Sequence, residues 1–477
     1  MTDAPVRPPV RPLAPSPAAP IGAAEFAALM ARLGPFEDHP RIAAAVSGGA
    51  DSLALAVLLH DWARPLGGRV TALTVDHGLR PEAAAEARFV ARTLKPLGLA
   101  QQTLRWHGAK PEANVSATAR RARYDLLSRC CARRGLLHLA LGHHLDDQAE
   151  TFLLRLGRGS GVDGLAAMAP IVELPALRLL RPLLGLPKAR LEATLRARGL
   201  SWVEDPTNRD PGQARVRLRR LLPGLAREGL TAARLAAAAE HLGRARAALE
   251  HQLARLLVRA VTLDPAGFAW VDPAPLVAAP AELGRRALAR VLITVGGAEY
   301  GPRMESLERL HGRISAGLTA GATLGGCRVL PRRGGLLVVR EARNLPVMRL
   351  DSGQKLLWDG RFEVALHRAG GRGAAVGLEL ELELGPLGGP RGGPGGGPGG
   401  GRGGDAGWAE VRAAAPAAVT ARIPALARAA LPALRDRRGV LAVPHLGYRR
   451  PDSAATWLKY CRFRPKNVLI NSAFTVA

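Results

Sequence analysis

Apolar and polar positions fall into two rhythms along the chain. From about Ala23 to Ile171, short apolar runs alternate with longer stretches of helical spacing. Arg41–Val46, Arg69–Val75 and Leu136–Leu141 read as buried strands, and Leu53–Ala63, Ala83–Leu97 and Val115–Arg134 read as helices. This alternation predicts an α/β fold, a doubly wound parallel sheet with helices on both faces. Residues 172–225 extend the same unit. Residues 229–260 are almost wholly Ala, Leu, Arg and Glu at helical spacing, which predicts a mainly helical region to about Ile314. Cys327–Leu330 and Gly335–Val339 then flank a Pro-Arg-Arg-Gly turn and read as a hairpin.

Composition sets the boundaries. Prolines crowd residues 1–22, which read as a flexible leader. The expected units are then 23–225, 226–346 with its short β patch, and a small α+β domain over 347–477. Gly385–Gly407 is almost free of apolar side chains and cannot offset its own ordering entropy, so it reads as a disordered insertion. A Gly/Arg-rich tract that touches RNA is the alternative, although it holds two arginines.

The 477 residues carry 67 bases against 40 acids, a formal charge of +27. Such a surplus favours a polyanionic partner, nucleic acid or an acidic membrane surface. Lysine is found only at positions 95, 110, 188, 355, 459 and 466, so the surplus is arginine, and a GC-rich genome or solvated surface explains part of it. Four cysteines, two of them adjacent at Cys130 and Cys131, make neither a disulfide framework nor a paired metal knuckle. A reducing compartment and a cytoplasmic protein without a membrane span are expected.

The strand Ile42–Val46 runs into Ser47-Gly48-Gly49-Ala50-Asp51-Ser52 and then an apolar helix. Two glycines let the backbone approach phosphate oxygens, and the helix start supplies N–H donors and a positive dipole end. Gly-Lys-Ser/Thr is absent, so this is not a Walker A loop, and it is not a Gly-x-Gly-x-x-Gly turn. Asp51 is a candidate Mg²⁺ ligand or a helix N-cap. Asp76, in Val75-Asp76-His77-Gly78-Leu79-Arg80, stands at the end of the next strand, where open α/β sheets bind ligands. After the third strand comes Gly142-His143-His144-Leu145-Asp146-Asp147-Gln148-Ala149-Glu150-Thr151. Asp147 and Glu150 share a helix face at i and i+3, and Asp146 is a candidate cap. His143, His144, Asp146 and Asp147 also admit a phosphohydrolase metal site, but adjacent histidines at a strand end point to opposite sides.

The Ser-Gly-Gly-x-Asp-Ser turn resembles the PP-loop of ATP pyrophosphatases. With Arg120-Arg121-Ala122-Arg123-Tyr124, Arg158-Gly159-Ser160-Gly161, Trp202 and Asp205-Pro206-Thr207-Asn208, the motifs over Arg41–Pro223 closely resemble the tRNA(Ile)-lysidine synthase family. Weaker likeness continues in Thr323–Cys327 and Trp358–Phe362. The resemblance implies an adenine nucleotide alpha-hydrolase-like domain and an ATP-dependent ligase. Such an enzyme adenylates the wobble cytidine of a tRNA(Ile) with a CAU anticodon, then transfers L-lysine to give lysidine. It implies ATP binding by Ser47, Gly48, Gly49, Ala50, Asp51, Ser52, Asp76 and His143, Mg²⁺ at Asp51, and lysine recognition by Asp147 and Glu150. Catalysis would then rest on Asp51, His143, Asp147 and Glu150.

Basic residues Arg120, Arg121, Arg123, Arg215, Arg217 and Arg219 are candidate tRNA contacts, with a solvated helix face as the plain alternative. The family's Arg-Asn-x-Ile-Arg element stands here as Arg215-Val216-Arg217-Leu218-Arg219, with Val216 where the family pattern has Asn. Trp202 stacks on a base or closes the core. Arg435, Arg437, Arg438, Arg449 and Arg450 are candidate phosphate contacts in a C-terminal tRNA-binding region, or ordinary surface charges. A tRNA thiolase of the same superfamily and an RNA-binding protein with a vestigial loop are the rival functions, and a homodimer is left open.

Overall fold

Alanine-rich strands suit a sheet covered on both faces, because small side chains let helices pack close to it. In the computed structural model, which describes residues 19–79, 83–108, 110, 115–174, 176–204, 212–332, 334–367, 382–388, 403–451 and 457–470, this sheet forms the heart of the first unit. That unit runs to Ala247, and a second covers Ala248–Ser472.

The first unit contains, in order, α1 (Ala23–Ala31), β1 (Arg41–Ala45), α2 (Ala50–Ala63), β2 (Arg69–Asp76), α3 (Ala83–Leu94), β3 (Ala100–Arg105), α4 (Val115–Arg134), β4 (His138–Ala140) and α5 (Leu145–Leu156). Then come α6 (Val162–Leu165), β5 (Ile171–Leu174), β6 (Leu177–Leu180), α7 (Lys188–Arg196), α8 (Ala214–Arg227) and α9 (Ala232–Ala260), the last continuing beyond the unit. The strands order β3-β2-β1-β4-β6-β5. All neighbours are parallel except β5, which returns antiparallel to β6. The doubly wound parallel sheet is therefore as expected, with an antiparallel edge hairpin added.

Ile42 and Ala44 of β1 face a core shared with α1, α2 and α7, whereas Ala43 faces α4 through Leu127, Cys130 and Cys131. Successive β1 residues thus serve opposite faces. The sheet grows one way from β1 to β2 and β3, then restarts on the other side of β1 with β4. A crevice opens at such a reversal, beyond the carboxyl ends of the two strands, and this is where these sheets bind ligands. It places the turn after β1 beside the turn after β4.

The predicted leader gives way before residue 22. The N–H of Ile21 donates to Thr194 Oγ1 at 2.9 Å, and Arg190 donates to the carbonyls of Ala19 and Pro20 while pairing with Glu25. Buried Arg190 thus gives those carbonyls and that acid their partners, which is why the chain packs there.

In the second unit, β7 (Val261–Asp264) and β8 (Phe268–Val271) form a hairpin inside the region expected to be helical. After α10 (Pro273–Ala278), α11 (Ala281–Gly296) and α12 (Met304–Ser315) come β9 (Ala322–Leu324), β10 (Cys327–Arg332) and β11 (Gly335–Arg340). The order is β7-β8-β11-β10-β9, and α11 buries Leu288, Val291, Leu292 and Val295 in its core. The expected β10–β11 hairpin is present, with Arg332 paired to Gly335, so Pro331 and Arg332 belong to the strand and not to the turn.

The remainder comprises β12 (Met348–Leu350), β13 (Lys355–Trp358), β14 (Phe362–Leu366), β15 (Leu382–Pro386), α13 (Gly403–Ala414), α14 (Ala417–Arg422), α15 (Ala425–Arg428), β16 (Pro432–Asp436), β17 (Gly439–Val443), β18 (Tyr448–Arg449) and β19 (Leu458–Phe463). They make sheets ordered β12-β15-β16-β17-β18 and β13-β14-β19. Both ends of the expected disordered insertion are structured. Gly385 and Pro386 pair with Ala433 and Pro432, Leu387 is buried, and Gly403–Gly407 open α13. Sheet pairing and burial of Leu387 hold the first end despite its glycines; residues 389–402 lie outside the described residues.

Two of the C-terminal arginines read as candidate phosphate contacts or ordinary surface charges have partners within the fold. Arg435 donates to the carbonyls of Pro386 and Leu387, and buried Arg450 pairs with Asp436. Their donors satisfy buried acceptors, leaving Arg437, Arg438 and Arg449 exposed. In Trp358–Phe362, Asp359 bridges Arg340 and the fully buried Arg361, so this motif fastens the second unit.

Candidate active site

The turn after β1 holds itself in shape. Ser52 Oγ donates to the Gly49 carbonyl at 3.0 Å, accepts from the Ser47 N–H at 3.1 Å and lies 3.2 Å from Ser47 Oγ. Gly48 adopts φ +95°, a region that a side chain disfavours. Its carbonyl accepts from Val203 N–H at 2.9 Å, which pins the turn from behind. Gly49 is the N-cap of α2, so Asp51 lies in the first helical turn and is not the cap.

Across the crevice, Gly142 follows β4. A Cβ there would lie 2.9 Å from the carbonyl carbon and oxygen of Asp51, so the two turns approach as closely as backbone permits. His144 is the N-cap of α5, and its N–H donates to Asp147 Oδ2 at 3.2 Å. Asp146 does not cap this helix. Its carboxylate accepts from the N–H of Lys188 at 3.0 Å, the first residue of α7, because that donor has no partner within its own helix.

These turns bound a cavity of about 390 Å³. Ser47, Gly49, Asp51, Ser52, His143, Asp147, Arg120, Arg123, Arg215 and Arg219 line it. Gly48 and Ala50 stand within the turn without lining it. Asp76 accepts from Gly78 N–H at 3.0 Å and does not line the cavity, whereas His77 does. Arg121 and Arg217 do not line the cavity; Arg217 is exposed and donates to the Gly212 carbonyl. Residues 215 and 219, one turn apart on α8, share the face toward the site, while Val216 is buried. Trp202 packs at the core edge beneath the Arg196 guanidinium. Asp205-Pro206-Thr207-Asn208 lies outside the described residues.

The two histidines do point to different surroundings. Burial, with Arg181, Arg120 and Arg215 nearby, lowers the His143 pKa to about 4 despite the pull of Asp147, so this ring is neutral at pH 7. Burial opposes charge on His144 as well, but Asp146, Asp51 and Asp147 raise its pKa to about 10. His144 Nε2 lies 3.6 Å from both Asp51 Oδ2 and Asp147 Oδ2, and Nδ1 lies 3.3 Å from Asp146 Oδ2. This imidazolium spaces carboxylates that would otherwise repel one another, a role visible only once the helices are placed.

Glu150 is buried but does not line the cavity, since Arg219 reaches both of its carboxylate oxygens. Burial raises its pKa above the usual carboxylate range, against the pull of Arg219. Arg181 is a site residue that motif reading missed. It is buried beside His143, and its only sequence signal is a lone charge within Leu179-Leu180-Arg181-Pro182-Leu183-Leu184.

Among the described residues no group of three or more His, Cys, Asp or Glu side chains could hold a metal ion by itself, which removes the phosphohydrolase metal reading there. Mg²⁺ makes a different demand, one or two carboxylates with phosphates and water completing the shell. Asp51 suits it, because its Oδ1 is buried with no hydrogen-bond partner.

The model of the PP-loop domain family matches residues 21–225. A tRNA(Ile)-lysidine synthase of Bradyrhizobium sp. (strain BTAi1) is 46% identical over 318 residues, spanning 64% of this chain and 87% of that protein. The chain belongs to the tRNA(Ile)-lysidine synthase family. Another member of that family, from Hyphomonas neptunium, is 39% identical over 71% of this chain and 94% of its own length. Among solved structures, the U34-tRNA thiolase NcsA of Methanococcus maripaludis overlaps 46% of this chain and 78% of its own, with TM-score 0.40 and 19% identity. That likeness is too distant to favour the thiolase alternative over the lysidine synthase family.

Proposed function

We propose that this cavity carries out both half-reactions of lysidine formation, on the wobble cytidine of a tRNA(Ile) with a CAU anticodon, in the cytoplasm. The observation that carries the reading is the convergence of the Ser47–Ser52 turn, His143 and Asp147 on one cavity. In the first half-reaction, cytosine O2 attacks the α-phosphorus of ATP and pyrophosphate leaves. Backbone N–H groups at the start of α2, with the positive end of its dipole, oppose the charge growing on the leaving group. Arg120, Arg123 and Arg215 supply cationic walls to the same space. Mg²⁺ held by Asp51 would neutralise phosphate charge when bound.

In the second half-reaction the lysine ε-amine attacks C2 of the adenylated base, and AMP leaves as the C2–O bond breaks. The incoming ammonium must be held and must lose a proton, and a carboxylate serves both needs. Asp147 is at the cavity wall and meets it first; Glu150 takes part once Arg219 moves from its carboxylate. Arg120, Arg121, Arg123, Arg215, Arg217 and Arg219 then serve as tRNA contacts of the first unit, and the C-terminal region adds others. A thiolase would need an accessible thiolate, yet Cys130 and Cys131 are buried and burial pushes the Cys131 thiol up to about 12.

The test is incubation with Mg-ATP, labelled lysine and transcripts of isoleucine tRNAs differing in the anticodon. Label should enter only the CAU transcript. No incorporation at saturating ATP and Mg²⁺ would overturn the proposal.

A further inference from the structure

Within the cavity, one ring nitrogen has a partner that can only donate. Arg181 Nε donates to His143 Nδ1 at 3.2 Å. Guanidinium has no acceptor and does not lose its proton in ordinary conditions. His143 Nδ1 must therefore present its lone pair to Arg181, and in the neutral ring the proton resides on Nε2.

Arg181 is itself fixed. It is 8% exposed, lies directly after β6, and its Nη1 donates to the Ala169 carbonyl at 2.7 Å. The chain path puts that carbonyl and the ring on two sides of one guanidinium. Rotating Arg181 away would leave both the part-buried Ala169 carbonyl and His143 Nδ1 without this donor, which disfavours the move.

We propose that Arg181 is a positioning residue that locks His143 in the Nε2–H tautomer, making the ring a fixed hydrogen-bond donor to ATP. His143 then cannot serve as the base that removes the lysine proton, since Nδ1 is occupied by Arg181 and Nε2 already carries hydrogen. The general base falls to the carboxylate side, where Asp147 stands at the cavity wall. The donor role rests on the proposed ATP site, whereas the tautomer does not.

Two measurements separate these claims. Two-bond ¹H–¹⁵N spectra of the full chain labelled with ¹⁵N-histidine report the tautomer, with His143 assigned by its loss in His143→Gln. The wild-type protein should show Nδ1 unprotonated and Nε2 protonated at pH 7. The opposite tautomer, or a ring protonated near pH 6.5, overturns the proposal without any Arg181 variant. Arg181→Leu should mix the tautomers and raise the ATP dissociation constant about tenfold, while Arg181→Lys, which keeps a donor, should recover most of the affinity. An unmixed Nε2–H tautomer in Arg181→Leu, or ATP affinity within twofold of wild type, overturns the lock. If wild-type protein shows the tautomer but binds no ATP, the ATP-site reading fails and the tautomer assignment stands.

Discussion

Arg219 on α8 engages both oxygens of Glu150 on α5, so one of the two acids proposed for lysine already holds a cation. The pairing makes the two acids unequal: Asp147, although its Oδ2 rests against the His144 N–H and imidazolium, lines the cavity, while Glu150 does not and must exchange Arg219 for the incoming ammonium.

Asp147→Asn should spare adenylation of tRNA and reduce lysine transfer roughly 10- to 150-fold, the equivalent of ~1.5–3 kcal/mol for a hydrogen bond to a charged group. Glu150→Gln should give the smaller loss of the two, because Arg219 then has less reason to stay. Separate assays of the adenylate and of labelled lysine check this. Loss of the adenylate in Asp147→Asn would remove Asp147 from the role assigned.

Gly142→Ala should destabilise the protein by ~1–3 kcal/mol, the usual cost of overpacking. The added Cβ meets backbone of Asp51, which cannot swing aside as a side-chain tip would. Denaturant unfolding gives the stability, and ATP titration should show weaker binding as the α2 turn is displaced.

Stability should peak near pH 6.5 as far as the two site histidines set it. His143 has its pKa lowered to about 4, so between pH 6.5 and 4 the unfolded chain binds a proton that the folded chain refuses, and stability falls with acid. His144 has its pKa raised to about 10, so its contribution is full below pH 6.5 and is lost as pH rises through 10. Urea midpoints at pH 5, 6.5 and 9 should show both limbs. His143→Gln should flatten the acid limb and His144→Gln the alkaline one.

Arg450→Ala should cost ~3–5 kcal/mol, since it strands the Asp436 carboxylate beside a buried site. Arg449→Ala, at an exposed position next to it, should change stability by no more than about 0.5 kcal/mol. Equal losses in the two variants, measured by denaturant unfolding, would contradict the structural role given to Arg450.

The sheet was legible because β1, β2 and β4 are apolar runs between helical patterns. β3 was not, since Ala100-Gln101-Gln102-Thr103-Leu104-Arg105 is an edge strand in which only Leu104 is buried. The β7–β8 hairpin had a signal, Val261-Thr262-Leu263-Asp264 and Phe268-Ala269-Trp270-Val271 around Pro265-Ala266-Gly267. It was masked by the helical run that continues to Ala260.

At the site, the motifs supplied the residue types and the turn that carries them. They did not supply pairings between distant positions. Glu150 with Arg219 spans 69 residues and His143 with Arg181 spans 38, and only folded elements bring such partners together. The charge on His144 and the neutrality of His143 follow from those neighbours, which is why two adjacent, identical residues end with opposite protonation states.

The docking of Ala19, Pro20 and Glu25 onto α7 has a consequence in time. Ala19, Pro20 and Glu25 leave the ribosome some 165 to 171 residues ahead of Arg190, the side chain that receives them. At about 5–20 residues per second, the start of the domain waits roughly 8 to 35 seconds for that partner. Until α7 is synthesised, the Ala19 and Pro20 carbonyls and Glu25 lack this partner even where α1 already packs on α2, so this docking is timed by the last third of the domain.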